Sequence, residues 1–182
     1  MSTVTTFLNL VKPAPLENFS RATYNNNLDL IDARAVTTEK FAKGIVISKY
    51  VAANSGIVSD AIIDNFPSVT FKAGRKYEIT WEADWQHDTA NNYFGMSINS
   101  AATTDAANLL TGLTQLDTST NLCNNANSAQ HFRTTAFFEP TSDTTLQIKF
   151  RLQRLVGGGV AQINGNATNK IKYTIKDEGA QY

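Results

Sequence analysis

The side chains best suited to nucleophilic or metal chemistry are scarce, because the sequence contains one cysteine and two histidines. Cys123 lies in an asparagine-rich stretch, 121–125, without a basic neighbour that would favour its thiolate, so it is a poor nucleophile. These three residues cannot complete a four-ligand zinc site, and a lone cysteine forms no intramolecular disulfide. We therefore expect no metal or other cofactor, and we expect His87 and His131 to be surface residues at strand ends.

Carboxylates and glycines offer no stronger signature of catalysis. Glu78 and Glu82 fall on the polar side of one predicted strand, where solvated charges explain them better than a general acid–base pair. Asp84 and Asp88 share a strand face, but no acidic cluster surrounds them, which disfavours a calcium site. The glycine run 157–159 is followed by Val-Ala-Gln instead of the Lys-Ser/Thr of a phosphate loop, and it predicts a flexible hairpin tip. We expect a protein that is not an enzyme.

Two tryptophans, Trp81 and Trp85, have two alternative roles. Aromatic rings can stack on sugars, which makes Trp85, together with His87, a candidate glycan contact. Both tryptophans also share the strand face of Tyr77 and Ile79, and large aromatic side chains on an apolar face pack in a core. We favour core packing for the tryptophans and keep the glycan contact as the alternative.

The elements that would position these residues are β-strands, because apolar and polar residues alternate from about residue 42 onward. A period of two is typical of antiparallel strands with one face in a core and one in water. About eight strands are predicted, at 45–51, 61–66, 68–71, 77–85, 93–98, 132–138, 146–152 and 171–175. Short antiparallel strands in this number predict an all-β, two-sheet sandwich that resembles a jelly roll.

The stretch 99–128 does not follow this alternation. It is rich in Asn, Ser, Thr and Ala, and its leucines are irregularly spaced. Loops this long are uncommon in compact domains unless they are functional or disordered. The sequence leaves two interpretations open: a structural crossover with a helical turn at 106–110, or an exposed contact loop.

The first 40 residues predict an attachment segment that is separate from the β domain at 41–182. An extended arm is predicted because Pro13 and Pro15 restrict the backbone around them. The arm carries three apolar residues that need a docking surface: Phe7, Leu8 and Leu10.

One short helix is predicted over 18–36. Its apolar residues follow spacings of four, three and four, the pattern of a narrow coiled-coil seam: Tyr24, Leu28, Ile31 and Ala35. The stripe fits packing against the chain's own β domain and fits self-association around a symmetry axis equally well.

Composition excludes several classes of protein. The 182 residues include 16 basic and 16 acidic side chains, giving a formal net charge of +0, which argues against non-specific binding to nucleic acid. A hydrophobic fraction of 42% is enough for a core. No apolar run approaches the roughly 18 residues of a membrane helix, and the first residues lack the pattern of a signal peptide. We expect a soluble protein made in a cytoplasm, with a surface dominated by its 22 Thr and 18 Asn residues.

The N-terminal sequence resembles the opening of bacteriophage tail-fibre, minor tail and related virion-surface proteins. The resemblance rests on the arm 7–15 (FLNLVKPAP), on Phe19, and on 24–32 (YNNNLDLID). In the β domain, the segment 69–79 (VTFKAGRKYEI) is similar to a hairpin frequent in virion sandwiches. No shaft repeat or extended coiled coil is present, so the resemblance fits a capsid decoration protein or a short receptor-binding tail fibre better than a long fibre.

The resemblance implies a virion protein without catalytic activity. Its partners would be itself, as a homo-oligomer and most simply a homotrimer, other capsid or tail proteins, and a host surface glycan, but neither nucleic acid nor membrane. The attachment residues would be those of the arm and the helix stripe. A carbohydrate-binding sandwich that uses Trp85, His87 and the asparagine-rich loop is the alternative function.

Overall fold

The computed structural model describes residues 3–4, 11–12, 44–55, 57–58 and 60–180. The chain divides into two compact units, Met1–Phe41 and Ala42–Tyr182. In the first unit, β1 (Thr3–Val4) pairs antiparallel with β2 (Val11–Lys12). The predicted helix over 18–36 lies outside the described residues. Within the ranges given above, no helix is long and apolar enough to cross a membrane.

The described part of the second unit is built from two antiparallel sheets. Its strands are β3 (Gly44–Val51), β4 (Ile57–Val58), β5 (Asp60–Phe71), β6 (Arg75–His87), β7 (Asn92–Ala101), β8 (Thr114–Cys123), β9 (Gln130–Phe138), β10 (Thr144–Val156), β11 (Ala161–Asn164) and β12 (Ile171–Ala180). The four-stranded sheet has the order β5-β10-β7-β8. The six-stranded sheet has the order β3-β12-β6-β11-β4, and β9 also pairs with β6. The prediction of an all-β fold with two antiparallel sheets is confirmed.

Aromatic side chains between the sheets form the centre of the core. Alternate residues of β6, from Tyr77 to Trp85, are at most 3% exposed, as their period of two predicts. The Trp81 ring lies 5.8 Å from that of Phe150 on the four-stranded sheet and 6.1 Å from that of Tyr173. The contact with Phe150 joins the two sheets, that with Tyr173 lies within one sheet, and together they confirm core packing for Trp81.

One strand, β5, replaces the two strands predicted on either side of Pro67. Val69 pairs with Leu146 and Phe66 with Ile148, so the register shifts at Pro67 and Ser68. A proline without an N–H is tolerated there because β5 is an edge strand with a bulge at that point. The prediction of separate strands at 61–66 and 68–71 is therefore wrong.

The stretch 99–128 contains strand β8 and is not a continuous loop. β8 has few large apolar residues, but its whole length pairs with β7, and Ser119 Oγ lies 2.5 Å from Thr134 Oγ1 of β9. In place of the expected helical turn at 106–110 there is a single β-turn, in which the Leu109 N–H donates to the Ala106 carbonyl at 3.1 Å. What remains irregular is the shorter segment 102–113.

The glycine run 157–159 connects the two sheets and does not form a hairpin. It leads from β10 in the four-stranded sheet to β11 in the six-stranded sheet. Gly157 has a φ of 89°, and a Cβ there would lie 1.4 Å from Asn92 Oδ1. The turn at Gly74 likewise connects β5 to β6 across the sandwich, so the hairpins predicted at both sites are wrong.

A buried ion pair fixes β12 against β6. Nε and Nη2 of Arg75 each donate to Asp177 at 2.8 Å, and the Gly179 N–H donates to Asp177 Oδ1 at 2.9 Å. The hydrogen bond to Asp177 raises the pKa of Arg75 further above its ordinary value. The pair ties the end of β12 to the start of β6, so their outward-facing side chains keep a fixed register.

Candidate binding face

The solvent-side face of the six-stranded sheet, here called the polar face, carries side chains in rows across its strands. The register aligns Tyr50 of β3, Lys172 of β12, Glu82 of β6 and Arg133 of β9 in one row. A second row contains Ile45, Lys176, Glu78 and Phe137, and the row between them contains Ser48, Thr174, Thr80 and Thr135. The β6 positions are therefore acidic where the flanking β12 positions are basic.

Pairs of opposite charge, between neighbouring strands and along one strand, explain how this face tolerates so many ionised groups. Arg133 Nη2 lies 3.2 Å from Glu78 Oε1, and Lys176 Nζ lies 2.7 Å from Glu178 Oε1. The hydrogen bond between Lys176 and Glu178 lowers the pKa of Glu178 and raises that of Lys176. The cross-strand pair of Arg133 and Glu78 favours the observed register, whereas Lys176 and Glu178 lie two residues apart on β12.

At one end of the polar face the side chains enclose open space. Two adjoining cavities of ≈ 280 Å³ and ≈ 500 Å³ share Glu82, Thr168 and Lys170. A third, of ≈ 310 Å³, continues along the sheet past Tyr50 and Lys172. We call the region formed by the first two cavities the groove, and its lining includes Tyr50, Glu82, Asp84, His131, Thr168, Asn169, Lys170 and Lys172.

Asp84 is held in place by two neighbours in the groove. His131 Nδ1 lies 3.0 Å from Asp84 Oδ1 and must donate, because a carboxylate only accepts. Asn169 Nδ2 donates to Asp84 Oδ2 at 3.2 Å. Asn169 is itself positioned by a tight turn in which its backbone N–H donates to Asn166 Oδ1 at 2.7 Å. His131 Nε2, at 3.8 Å from Glu82 Oε1, remains close to a second carboxylate.

The predicted glycan contacts, Trp85 and His87, do not lie in the groove. Both are 0% exposed, and the His87 ring packs 4.9 Å from that of Phe94 while its Nδ1 lies 2.9 Å from the Thr89 backbone nitrogen. The prediction of His87 as a surface residue is wrong. β6 continues to His87 because its last residues pair with β11, a strand that the sequence did not predict. Core packing of Trp85 is confirmed.

The other predicted chemical groups are also placed by the structure. His131 is exposed at the start of β9, as predicted. Cys123 is buried, with its Sγ 3.1 Å from the Asn125 carbonyl oxygen. Within the described ranges, no group of three or more His, Cys, Asp or Glu side chains is arranged to hold a metal ion. The predicted attachment residues lie outside the described side chains and stay a prediction: Phe7, Leu8, Leu10, Tyr24, Leu28, Ile31 and Ala35.

Sequence reasoning missed Tyr50 and the turn at 166–169. Tyr50 falls in a strand that was predicted, but the weak alternation of that strand did not show which side its ring takes. Asn166, Thr168 and Asn169 carry a turn-forming composition. Nothing in their spacing indicates that the turn lies beside β6.

Comparisons with known proteins assign no family. No protein-family model matches the sequence, and no curated protein matches it. Among solved structures, the CBM22-1–GH10 modules of Clostridium thermocellum xylanase 10B complexed with xylohexaose match with 12% identity and a TM-score of 0.36, covering 62% of this chain and 18% of that one. The structure of infectious bursal disease virus, Gx strain, matches with 11% identity and a TM-score of 0.38, covering 76% and 37%.

A third match, the T=1 particles derived from infectious bursal virus, has 13% identity and a TM-score of 0.36, covering 98% of this chain and 44% of that one. The chain thus spans less than half the length of each of these structures. At such low similarity the matches carry no argument about function, and the sandwich assignment rests on the two sheets themselves.

Proposed function

We propose that the chain is a non-enzymatic structural subunit of a bacteriophage virion surface. In this proposal, residues 1–40 attach it to the particle and form a homo-oligomer, most simply a trimer, and residues 41–182 display the sandwich. It would act as a capsid decoration protein or as a short receptor-binding tail fibre. The observation that carries the proposal is the N-terminal resemblance over residues 7–32.

The arrangement of the sandwich supports a display role. From β5 onward the chain repeatedly crosses between the two sheets, in keeping with a jelly-roll-like connectivity. The side chains that sequence reasoning weighed for catalysis are engaged in local bonds: His87 with Thr89, Cys123 with Asn125, and Asp84 with His131.

Quantitative mass spectrometry of purified phage particles tests the proposed location. We expect the protein in intact virions, in hundreds of copies if it decorates the capsid and in a handful if it belongs to the tail. Detection only in the host cell lysate, with none in purified particles, would refute the virion assignment.

Light scattering on the full-length chain tests the proposed oligomer. We expect the double substitution Leu28→Ser, Ile31→Ser to shift the protein toward the monomer, because it removes apolar contacts from the helix seam. The matched control is Asn26→Ser, Asp29→Ser, which changes the same predicted helix away from the seam. A strict monomer at high concentration for the unmodified chain contradicts self-association.

The residues predicted to bind sugar in the alternative function, a carbohydrate-binding module, are buried. A buried tryptophan offers no ring face to a sugar, so Trp85 and His87 cannot make the contact proposed for them. Any glycan recognition must therefore use a different surface.

A further inference from the structure

We propose that the groove on the polar face binds a neutral oligosaccharide. The proposal does not rest on the virion assignment, and it places recognition on the side of the sheet opposite to Trp85. Four features carry it: an exposed ring, oriented hydrogen-bonding groups, a balance of charge, and continuous open space.

The ring is that of Tyr50, which is 54% exposed at the mouth of the second cavity. It stands beside Lys172 in the register of β3 and β12. Pyranose rings present a patch of C–H groups that packs on an aromatic face, and tyrosine supplies that face with little loss of side-chain entropy. An aromatic ring left in water next to a cavity suits such a ligand.

The polar groups of the groove supply both acceptors and donors. Asp84 is oriented by His131 and Asn169, so it presents a fixed carboxylate rather than a mobile one. Lys170 and Lys172 donate only, whereas the hydroxyl of Thr168 can donate or accept. Sugar hydroxyls require both kinds of partner, and pre-oriented partners bind at a smaller entropic cost.

The charges of the groove favour an uncharged ligand. Two carboxylates, Glu82 and Asp84, and two ammonium groups, Lys170 and Lys172, line the groove. Because positive and negative groups are equal in number there, a polyanion such as a sulfated glycan or a nucleic acid gains little net attraction. A neutral polyol can still form hydrogen bonds to each of these groups.

The space fits a short chain of sugars. The cavity of ≈ 500 Å³ lies within the range of about 300–1,000 Å³ that is usual for small-molecule sites. It shares residues with the cavity of ≈ 280 Å³ and with the cavity of ≈ 310 Å³. The first two cavities form the groove and share lining residues, so a short linear oligosaccharide can extend from one to the other.

The test is a glycan array of neutral, sialylated and sulfated oligosaccharides probed with the full-length chain, followed by calorimetry with the strongest neutral binder. Tyr50→Ala and, separately, Asp84→Asn should each weaken binding on the order of tenfold, because the first removes the stacking ring and the second replaces one oriented carboxylate oxygen with a donor. Phe137→Ala is the matched control, since Phe137 is an equally exposed aromatic residue of the same face, 57% exposed, outside the groove. That control should leave the affinity unchanged.

Three outcomes would overturn the proposal: no neutral oligosaccharide bound at about 1 mM, binding confined to anionic glycans, or equal losses for Phe137→Ala and Tyr50→Ala. Circular dichroism establishes that each variant is folded before binding is compared. Because the virion assignment is tested on purified particles, failure here leaves it unaffected.

Discussion

The outward faces of the two sheets have similar sequence patterns but differ in their exposure to solvent. On the polar face, Lys172 and Glu82 remain partly in water and line open space. On the four-stranded sheet, the corresponding polar positions Gln147, Lys149 and Asn99 are at most 3% exposed. The comparison shows that alternation tells which side of a strand a residue takes, but not whether that side meets water.

The segment 102–113 accounts for this difference in exposure. It lies against the outward face of the four-stranded sheet, where Lys149 Nζ donates to the carbonyl oxygens of Ala106 at 2.8 Å and Leu109 at 3.2 Å. Burial of an ammonium group is unfavourable unless hydrogen bonds replace those to water, and here two backbone carbonyls do so. In the part of the chain that the structure describes, no segment covers Lys172 in the same way.

The largest effect is expected from removing the covered ammonium group. Lys149→Met should lower the free energy of unfolding by about 2–3 kcal/mol, because the buried charged donor that bonds the Ala106 and Leu109 carbonyls is lost while an apolar stem is kept. The measurement is the urea unfolding midpoint at constant m-value.

Lys172→Met is the matched control for that substitution. It exchanges the same side chains on a face that remains open, so we expect a change within about 0.5 kcal/mol. If the two variants were destabilised equally, the contrast between the covered and the open face would be wrong.

The same physical reasons explain which strands could be predicted from the sequence. The period of two found β6, β10 and β12, because their inner faces carry large apolar side chains. It missed β8, whose stability comes from pairing with β7 and from contacts between polar side chains. Edge strands with polar composition leave no periodic signal, since neither face depends on apolar burial.

The groove could not be predicted from the sequence, for a different reason. Asp84 and His131 are far apart along the chain and meet only because β9 pairs with β6 in one register. Asn169 joins them from the turn before β12. Register is a property of the assembled sheet, so single-strand patterns predict the types of side chain on the face but not which of them come together.

An intermediate effect on stability is expected at the glycine run 157–159, which links β10 in one sheet to β11 in the other. Gly157→Ala should cost about 1–2 kcal/mol, because alanine disfavours the left-handed backbone and its Cβ would displace the Asn92 side chain. Thermal unfolding measures the loss. Gly158→Ala is the control, since nothing lies within 4 Å of a Cβ at Gly158 and its φ is not positive. Equal losses at the two glycines would show that flexibility, not close approach, is what the link requires.

The smallest effect on stability is expected from a carboxylate of the polar face, and its dependence on pH distinguishes that face from the covered one. On the polar face, the hydrogen bond from Lys176 lowers the pKa of Glu178 below its ordinary value of 4.5. The carboxylate therefore stabilises the fold above that value, and this contribution is lost as the pH falls through the folded pKa. Glu178→Gln should lower the melting temperature slightly at about pH 7, and the difference from the unmodified protein should shrink at about pH 3 and in about 1 M salt, where the Debye length is only ~3 Å.

Lys149→Met provides the contrast for this last measurement. Its partners are backbone carbonyls that do not titrate, and its ammonium group is out of contact with solvent ions. Its destabilisation should therefore be the same at both pH values and at both salt concentrations. The destabilisation by Lys149→Met could instead shrink with salt as much as the destabilisation by Glu178→Gln. That result would mean that solvent reaches both faces, and that the segment 102–113 does not cover the four-stranded sheet.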